Sequence, residues 1–448
     1  MVLYRTTIFR SVLVLAILVF AAYLRIHNAF FFNPYWGYDG GAHLTYIETL
    51  AQDGRLPTMQ ESYVAWHEPL YYMFMAWWWR VSAHWIHTSA SMRDMLSLVQ
   101  AIVGMIFVVL AYRWAQITAP GNRFTHLCAL LFASVLPGSV LLSAYVTNEL
   151  AVQIGMLGVV VVVVRFGFHK QRLYHISFAL LVGMLCGLLL LTKLTALILV
   201  GVLAAWFWLG ALRMHSFQLF RNGVLIVVVA GVIALPWQIY RQHAFGTAFT
   251  INNYEQQMHA QESQTLPQNF FTSFDTHIFG YPFWNTGSQS FFTMLYADTF
   301  ADYQGILHNP DTVILLPEQD RMQLANQQIV SLRQARILRT MLYIALGLCA
   351  AYILGLVRLG AYIVRTHFKF TKELLVLLLS IGLLAALIYN VVQYPFLERG
   401  TLKTIFILVL MPLLAPYAFS FSRNKVYQLV IGTTTTAYAM LAALAFWI

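Results

Sequence analysis

The chain has 448 residues, of which 60% are hydrophobic and 10% charged, with a mean hydropathy of +0.67. Soluble globular chains carry about 45–50% apolar and about 25% charged residues, so an ordinary soluble enzyme, a disordered chain and a disulfide scaffold are excluded. The net charge of +10 raises nucleic acid as a partner only until the cations are placed along the chain.

A helix needs about 20 apolar residues to cross a hydrocarbon core of about 30 Å. Runs of this kind lie at 8–24, 94–112, 124–142, 147–164, 175–191, 194–210, 222–240, 337–357, 373–392, 402–420 and 426–447. They predict an all-α polytopic membrane protein with about eleven transmembrane helices. The first run follows Arg5 and Arg10 and has no small-residue cleavage site after it, so it reads as a retained span. A further stretch, 68–86, is apolar but holds Trp77, Trp78, Trp79 and Trp85 beside Arg80, His84 and His87. Clustered Trp with basic residues suits the headgroup region, so this stretch is predicted to lie on the membrane.

Charge supports that choice. With the N-terminus cytoplasmic and 68–86 interfacial, fifteen Lys and Arg fall in cytoplasmic segments, and only Lys193, Arg399 and Lys403 in the short outer turns. This obeys the positive-inside rule, which fails if 68–86 spans. Of 17 acidic residues only Glu373 falls on the cytoplasmic side. The basic excess is thus a topology signal and gives no reason to invoke nucleic acid. Cys128, Cys186 and Cys349 are scattered singly in apolar runs, without metal-ligand spacing.

Two long segments face outward in this reading, 25–93 and 241–336, and a single membrane domain with an outer cap is expected. No Asn-x-Ser/Thr sequon occurs, which fits a bacterial origin. The first segment reads NPYWGYDGGAHLTYIETLAQDGRLP from Asn33. Leu44, Ile47 and Leu50 recur at helical spacing, and Gly54 with Pro57 ends the run, so a short amphipathic surface helix is predicted. Asp39 stands just before it. Spacing alone favours a helix cap; the alternatives are a general base on a hydroxyl or a ligand to a divalent metal. His43, four residues on, shares its face and is either structural, an orienting partner or a metal ligand. His67-Glu68-Pro69 opens the interfacial stretch. Glu68 is a carboxylate at membrane depth, either functional or facing water at the rim.

Lys193, in LLLLTKLTALIL, is either a turn residue that snorkels or a point charge for a phosphate. Arg399, in QYPFLERGTLK, has the same two readings, with Glu398 adjacent and Lys403 one turn on. Three cations on otherwise cation-poor turns are a candidate anion site. Asn148 and Glu149 open a span on the same side, as caps or as cavity residues. Asp298 and Asp302, four apart, lie in the aromatic-rich second segment, FFTSFDTHIFGYPFWNTGSQSFFTMLYADTFADY from Phe270. No Walker loop, dinucleotide fingerprint or His-Glu-x-x-His pattern occurs, and the cytoplasmic loops are too short to build a nucleotide-sugar domain.

In these features the chain resembles the C-type integral-membrane glycosyltransferases, the GT-C fold, including the protein O-mannosyltransferase-like and aminoarabinose-transferase-like enzymes. The resemblance is carried by YDGGAHLTYIETLAQDGRLP after the first span, HEPLYY, TNELAVQIG opening a span, GLLLLTKLTALILV across two spans, and LERGTLK near a late span. It implies a polyprenyl-phosphate sugar donor, a lipid, glycan or protein acceptor, and inverting transfer on the outer face. It implies Asp39 as base, with Lys193 and Arg399, and Lys403 beside them, on the lipid phosphate. Some relatives use a divalent metal (Mg or Mn), for which Asp39, His43 and Glu68 are the candidates here.

The chain departs from the family pattern at three places. Gly40 follows Asp39 where many relatives have Glu. Glu68 precedes a single Pro69 where many have a double Pro, which makes Glu68 a candidate replacement for the missing acid. Gly400 follows Arg399 where Tyr is usual. Two rivals stand beside this reading. An O-antigen ligase- or polymerase-like enzyme would depend on His243, His259, His277 or His308. A flippase for lipid-linked saccharides would need a charged path through the spans, which look nearly free of ionisable groups.

Overall fold

The structure is a computed structural model, and it describes residues 2–32, 35, 37–86, 88–246, 265–280, 282, 290–305, 325–393, 402–421 and 424–447. Among these residues the regular structure is entirely helical. The helices are α1 (Val2–Phe31), α2 (Gly40–Gln52), α3 (Leu70–Ser82), α4 (Ser89–Thr118), α5 (Arg123–Val135), α6 (Pro137–Leu142), α7 (Asn148–Val162) and α8 (Ile176–Leu190). They continue with α9 (Leu197–Met214), α10 (Phe217–Phe245), α11 (Phe291–Phe300), α12 (Ala325–Arg365), α13 (Lys372–Gln393), α14 (Leu410–Phe419) and α15 (Lys425–Ala445). Short 3₁₀ turns at Leu194–Ala196 and Thr404–Ile407 lead into α9 and towards α14.

Eight of the described helices are long and apolar enough to cross a membrane. Three shorter apolar helices, α5, α8 and α14, fall where the sequence predicts spans. Each has a local reason to be short. Pro137 cannot continue α5 and instead opens α6. α8 stops at Leu190, three residues before Lys193, whose extended backbone begins the next 3₁₀ turn. The run predicted at 402–420 spends its first turn as 3₁₀ helix, and Pro412 and Pro416 lie within α14.

The break between α5 and α6 would leave carbonyls without partners in a dry interior. Arg25, fully buried on α1, donates to Ser134 O at 2.8 Å, to Ala133 O at 3.3 Å and to Ser139 Oγ at 2.9 Å. α10 packs on α8 and α9, α12 on α14 and α15, and α4 on α1, α5, α7 and α14. The α12–α14 approach depends on Gly355, where a Cβ would lie 2.6 Å from the Ala418 backbone.

α3 has 13 residues, a length of about 20 Å at 1.5 Å per residue, too short to cross about 30 Å of hydrocarbon. It packs on α2 through Tyr71, Tyr72, Met75 and Trp79, against Leu44, Tyr46 and Ile47. This forms a small core separate from the main one. Met73, Phe74 and Trp77 project from its other face. The chain reaches this cap from the C-terminal end of α1. The same end of the molecule collects the start of α7, the α8–α9 turn, the end of α10 and the turn before α14.

Candidate active site

The loop entering α2 is placed by Tyr145. Gly37 has φ +96°, and a Cβ there would lie 2.7 Å from the Tyr145 ring. Tyr38 N donates to Tyr145 Oη at 3.3 Å. The next residue, Asp39, has φ 60° and ψ 18°, the left-handed region that a residue with a Cβ adopts at a cost. An N-cap side chain normally reaches forward from an extended backbone. Asp39 has a different backbone and makes no side-chain capping bond. The cap favoured by spacing is therefore wrong. Its Oδ1 instead accepts a hydrogen bond from Tyr63 Oη at 2.8 Å.

Burial would raise the Asp39 pKa, but opposing influences win and hold it below the ordinary carboxylate value. In order, these are Lys403, the His43 ring, the Tyr63 hydroxyl and Lys193. His43 is itself neutral at pH 7, because burial pushes its pKa down to about 4. The charge that matters most is therefore Lys403, whose ammonium also sits 4.2 Å from the Tyr38 ring centroid.

Behind Asp39 lies a His–Tyr–His chain. His43 Nδ1 is 2.7 Å and His67 Nδ1 3.0 Å from Tyr72 Oη, and His43 Nε2 is 3.5 Å from Thr147 Oγ1. Burial pushes His67 well below its ordinary value too. One hydroxyl has one proton to give, so of two neutral rings one must donate to Tyr72 and the other accept. Both rings are thereby fixed in orientation.

Lys193 does not snorkel. It forms an ion pair with Glu149, their side chains 15% and 7% exposed. Neither Asn148 nor Glu149 caps α7, because Thr147 does so by accepting from Glu149 N. Asn148 Nδ2 donates to Thr192 O at 3.2 Å and ties α7 to the α8–α9 turn. Glu68 does not face water either. It is 1% exposed and pairs with Arg241 at 3.0 Å, and Arg241 lies 5.2 Å from the Trp66 ring centroid. Burial raises the Glu68 pKa against the pull of Arg241, Lys193 and the Leu194 backbone.

Asp298, on α11, is buried, and its Oδ2 accepts from Thr404 N and Thr404 Oγ1, both at 2.7 Å. Those bonds clamp the second long segment onto the turn that carries Lys403. Burial lifts Asp298 to about 6 despite both bonds. Asp302, one turn on, is buried beside it in a cleft with Pro137, Leu141 and Ile405. Arg399, Glu398, His259 and His308 lie outside the described residues. His243 and His277 are described and exposed.

Three contributors carry little signal in the sequence. Arg241 was assigned to an outer loop but belongs to α10, where a lone cation at the end of an apolar helix was the available signal. Tyr63 and Tyr72 carried none, since tyrosines abound in this chain. The proposed metal set of Asp39, His43 and Glu68 does not gather. Among the described residues no three His, Cys, Asp or Glu side chains are grouped to hold an ion. His43 is engaged by Tyr72 and Thr147, and Glu68 by Arg241.

This arrangement of spans and short cap helices is a fold shared with solved structures of ArnT and of an oligosaccharyltransferase. The chain aligns over 98% of its length with ArnT from Cupriavidus metallidurans bound to undecaprenyl phosphate, covering 76% of that chain (TM-score 0.50, 14% identity). It aligns over 97% with AglB, the Archaeoglobus fulgidus oligosaccharyltransferase in complex with an inhibitory peptide and a dolichol-phosphate (TM-score 0.51, 13% identity). A further Archaeoglobus fulgidus oligosaccharyltransferase structure, in complex with Zn and sulfate, aligns over 96% (TM-score 0.50, 15% identity). The chain spans 56% and 53% of those two oligosaccharyltransferase chains. No family model matches the chain, and no curated protein does.

Proposed function

We propose that the protein is a membrane glycosyltransferase. It moves a sugar from a polyprenyl-phosphate donor to an acceptor hydroxyl on the outer face of a bacterial plasma membrane, with its N-terminus in the cytoplasm. The observation that carries this reading is Asp39: a solvent-reachable carboxylate on strained backbone, making no cap to its own helix and held ionised by charges that include Lys403 and Lys193. The fold adds support, since solved proteins sharing it were captured with undecaprenyl phosphate and dolichol-phosphate.

The chemistry is a single inverting displacement. Asp39 accepts a hydrogen bond from the acceptor hydroxyl and takes its proton as the oxygen attacks the anomeric carbon. The bond from that carbon to the phosphate oxygen breaks, and polyprenyl phosphate leaves with both electrons. Lys193, with Arg399 and Lys403 as the other cations of the predicted outer turns, stabilises the negative charge gathering on the phosphate. Neutral His43 and His67 keep the wall behind Asp39 rigid without adding a competing charge. Glu68 serves to hold Arg241 in place, so Asp39 is the base. Of the three side chains that would make up a divalent-metal set, His43 is held by Tyr72 and Thr147 and Glu68 by Arg241.

The test is transfer from a polyprenyl-phosphate sugar by purified protein. Asp39→Asn is expected to lower turnover by about 10²–10⁴-fold, the usual contribution of a positioned base, at unchanged membrane expression. Wild-type turnover in that variant, with loss on His243→Ala or His277→Ala instead, would transfer the assignment to the ligase-like mechanism.

A further inference from the structure

Glu149 differs from the other paired acids among the described residues in having one carboxylate oxygen that is buried and unpartnered. Its carboxylate meets Lys193 through Oε1, while Oε2 is buried and has no hydrogen-bond partner among the described residues. Two other paired acids are anchored at more points. Glu61 is held by both guanidinium nitrogens of Arg55 and by Thr58 N and Oγ1. Glu68 takes Arg241 and the Leu194 backbone. A buried ion pair is stable only when its remaining lone pairs are also met, and Glu149 meets that condition on one oxygen.

The position is nonetheless favourable to an anion. Glu149 lies in the first turn of α7, where the helix dipole presents partial positive charge. Two cations act on it, Lys193 directly and Lys403 at longer range. Lys403 is in turn the main charge on Asp39. Glu149 thus stands between the cations that would have to meet a phosphate. Lysine suits such an exchange, because its ammonium is a compact charge on a flexible stem and can change partners by rotation.

We propose that Glu149 is a displaceable counter-ion: it neutralises Lys193 when no donor is bound, yields it to the donor phosphate, and reclaims it as polyprenyl phosphate departs. This rests on the reading of Lys193 as the phosphate-binding cation. A largely covered Lys193 with no partner would leave its charge uncompensated, so the carboxylate keeps the site folded between turnovers. It also keeps the leaving lipid phosphate from binding as an inhibitor.

The experiment uses the full chain in nanodiscs, with undecaprenyl phosphate and inorganic phosphate as probes. Binding and the ligand-induced rise in Tm are measured for wild type, Glu149→Gln and Lys193→Met. Removing the competing charge is expected to lower the ligand-free Tm, tighten undecaprenyl phosphate about tenfold, and enlarge the Tm rise on binding. Product inhibition of transfer should strengthen in parallel. Tightening of both probes supports exchange with phosphate from either source; tightening of the lipid alone supports exchange with the lipid-borne group. Unchanged or weaker binding of both probes in Glu149→Gln, with binding lost in Lys193→Met, overturns the exchange and leaves the phosphate reading of Lys193 intact. Unchanged binding in Lys193→Met overturns that reading itself. If Glu149→Gln does not fold, Glu149→Asp, which keeps the charge and draws it back by one methylene, is expected to shift affinity the same way by a smaller factor. A purely structural Glu149 would change the ligand-free Tm and leave affinity where it was.

Discussion

Asp39 carries its strain in its backbone, which separates function from stability at a single residue. Asparagine is among the few side chains that enter the left-handed region readily, and it can still accept from Tyr63 through its amide oxygen. Asp39→Asn keeps the favoured backbone but forfeits the attraction between the carboxylate and Lys403, so at neutral pH a small fall in Tm is expected beside the loss of transfer. A large fall in Tm, read by thermal unfolding in detergent, would mean that the carboxylate is a structural member of the cluster. Asp298 offers the opposite case. Its pKa is raised in the folded protein from 3.8 to about 6, so the folded state holds the proton more tightly than the unfolded chain does. The stabilisation this provides is complete below about pH 4 and is lost as pH rises through 6. A shift of about two units corresponds to about 3 kcal/mol. Asp298→Asn has no proton to lose, so wild-type stability relative to that variant should fall by about that amount between pH 4 and pH 7. A difference that stays flat with pH would place the Asp298 titration outside that window.

At the level of elements, the cap helices and the spans are joined by few but costly links. Glu68 at the start of α3 and Arg241 at the end of α10 are 1% and 0% exposed. Removing one partner strands the other charge in a dry interior, at about 3–5 kcal/mol. Glu68→Ala alone should therefore destabilise by that amount, and Glu68→Leu with Arg241→Met should recover most of it. A double variant whose loss equals the sum of the two single losses would show that the residues act independently. This link also marks the limit of what sequence makes legible. The apolar runs and the short amphipathic helix at Gly40–Gln52 follow from local periodicity, and local periodicity survives folding. The partner of Glu68 lies 173 positions away, and no local pattern encodes that distance. The cap at Asp39 was misread for a related reason. A Ser, Asp or Asn before an apolar run is a capping signal only if its backbone is extended, and here the contact between Gly37 and Tyr145 sets the loop differently. Lys193 and Lys403 stood out in the sequence because cations are rare on that side; their relation to Asp39 emerged only once α7, the α8–α9 turn and the turn before α14 met.

For the molecule as a whole, the decisive quantity is the direction in which the cluster faces. Asp39, Lys193, Arg241 and Lys403 come from turns and helix ends that successive spans bring to one end of the fold, while Arg113, Arg165, Arg172, Arg213 and Arg358 lie towards the other ends of their helices. The positive-inside rule then predicts that the cluster faces outward. Cysteine accessibility tests this directly. Of the native thiols, Cys128 and Cys186 are buried and Cys349 is partly covered within α12, so background reaction with a membrane-impermeant maleimide should be small. Gln60, in the loop between α2 and α3, and Gln218, at the start of α10, are both exposed. Gln60→Cys is expected to label fully in intact spheroplasts. Gln218→Cys should label only after the membrane is opened. The reverse pattern would turn the whole cluster towards the cytoplasm, where the Lys and Arg excess would then be on the wrong side of the membrane and a lipid-linked donor would have to be met on the inner leaflet.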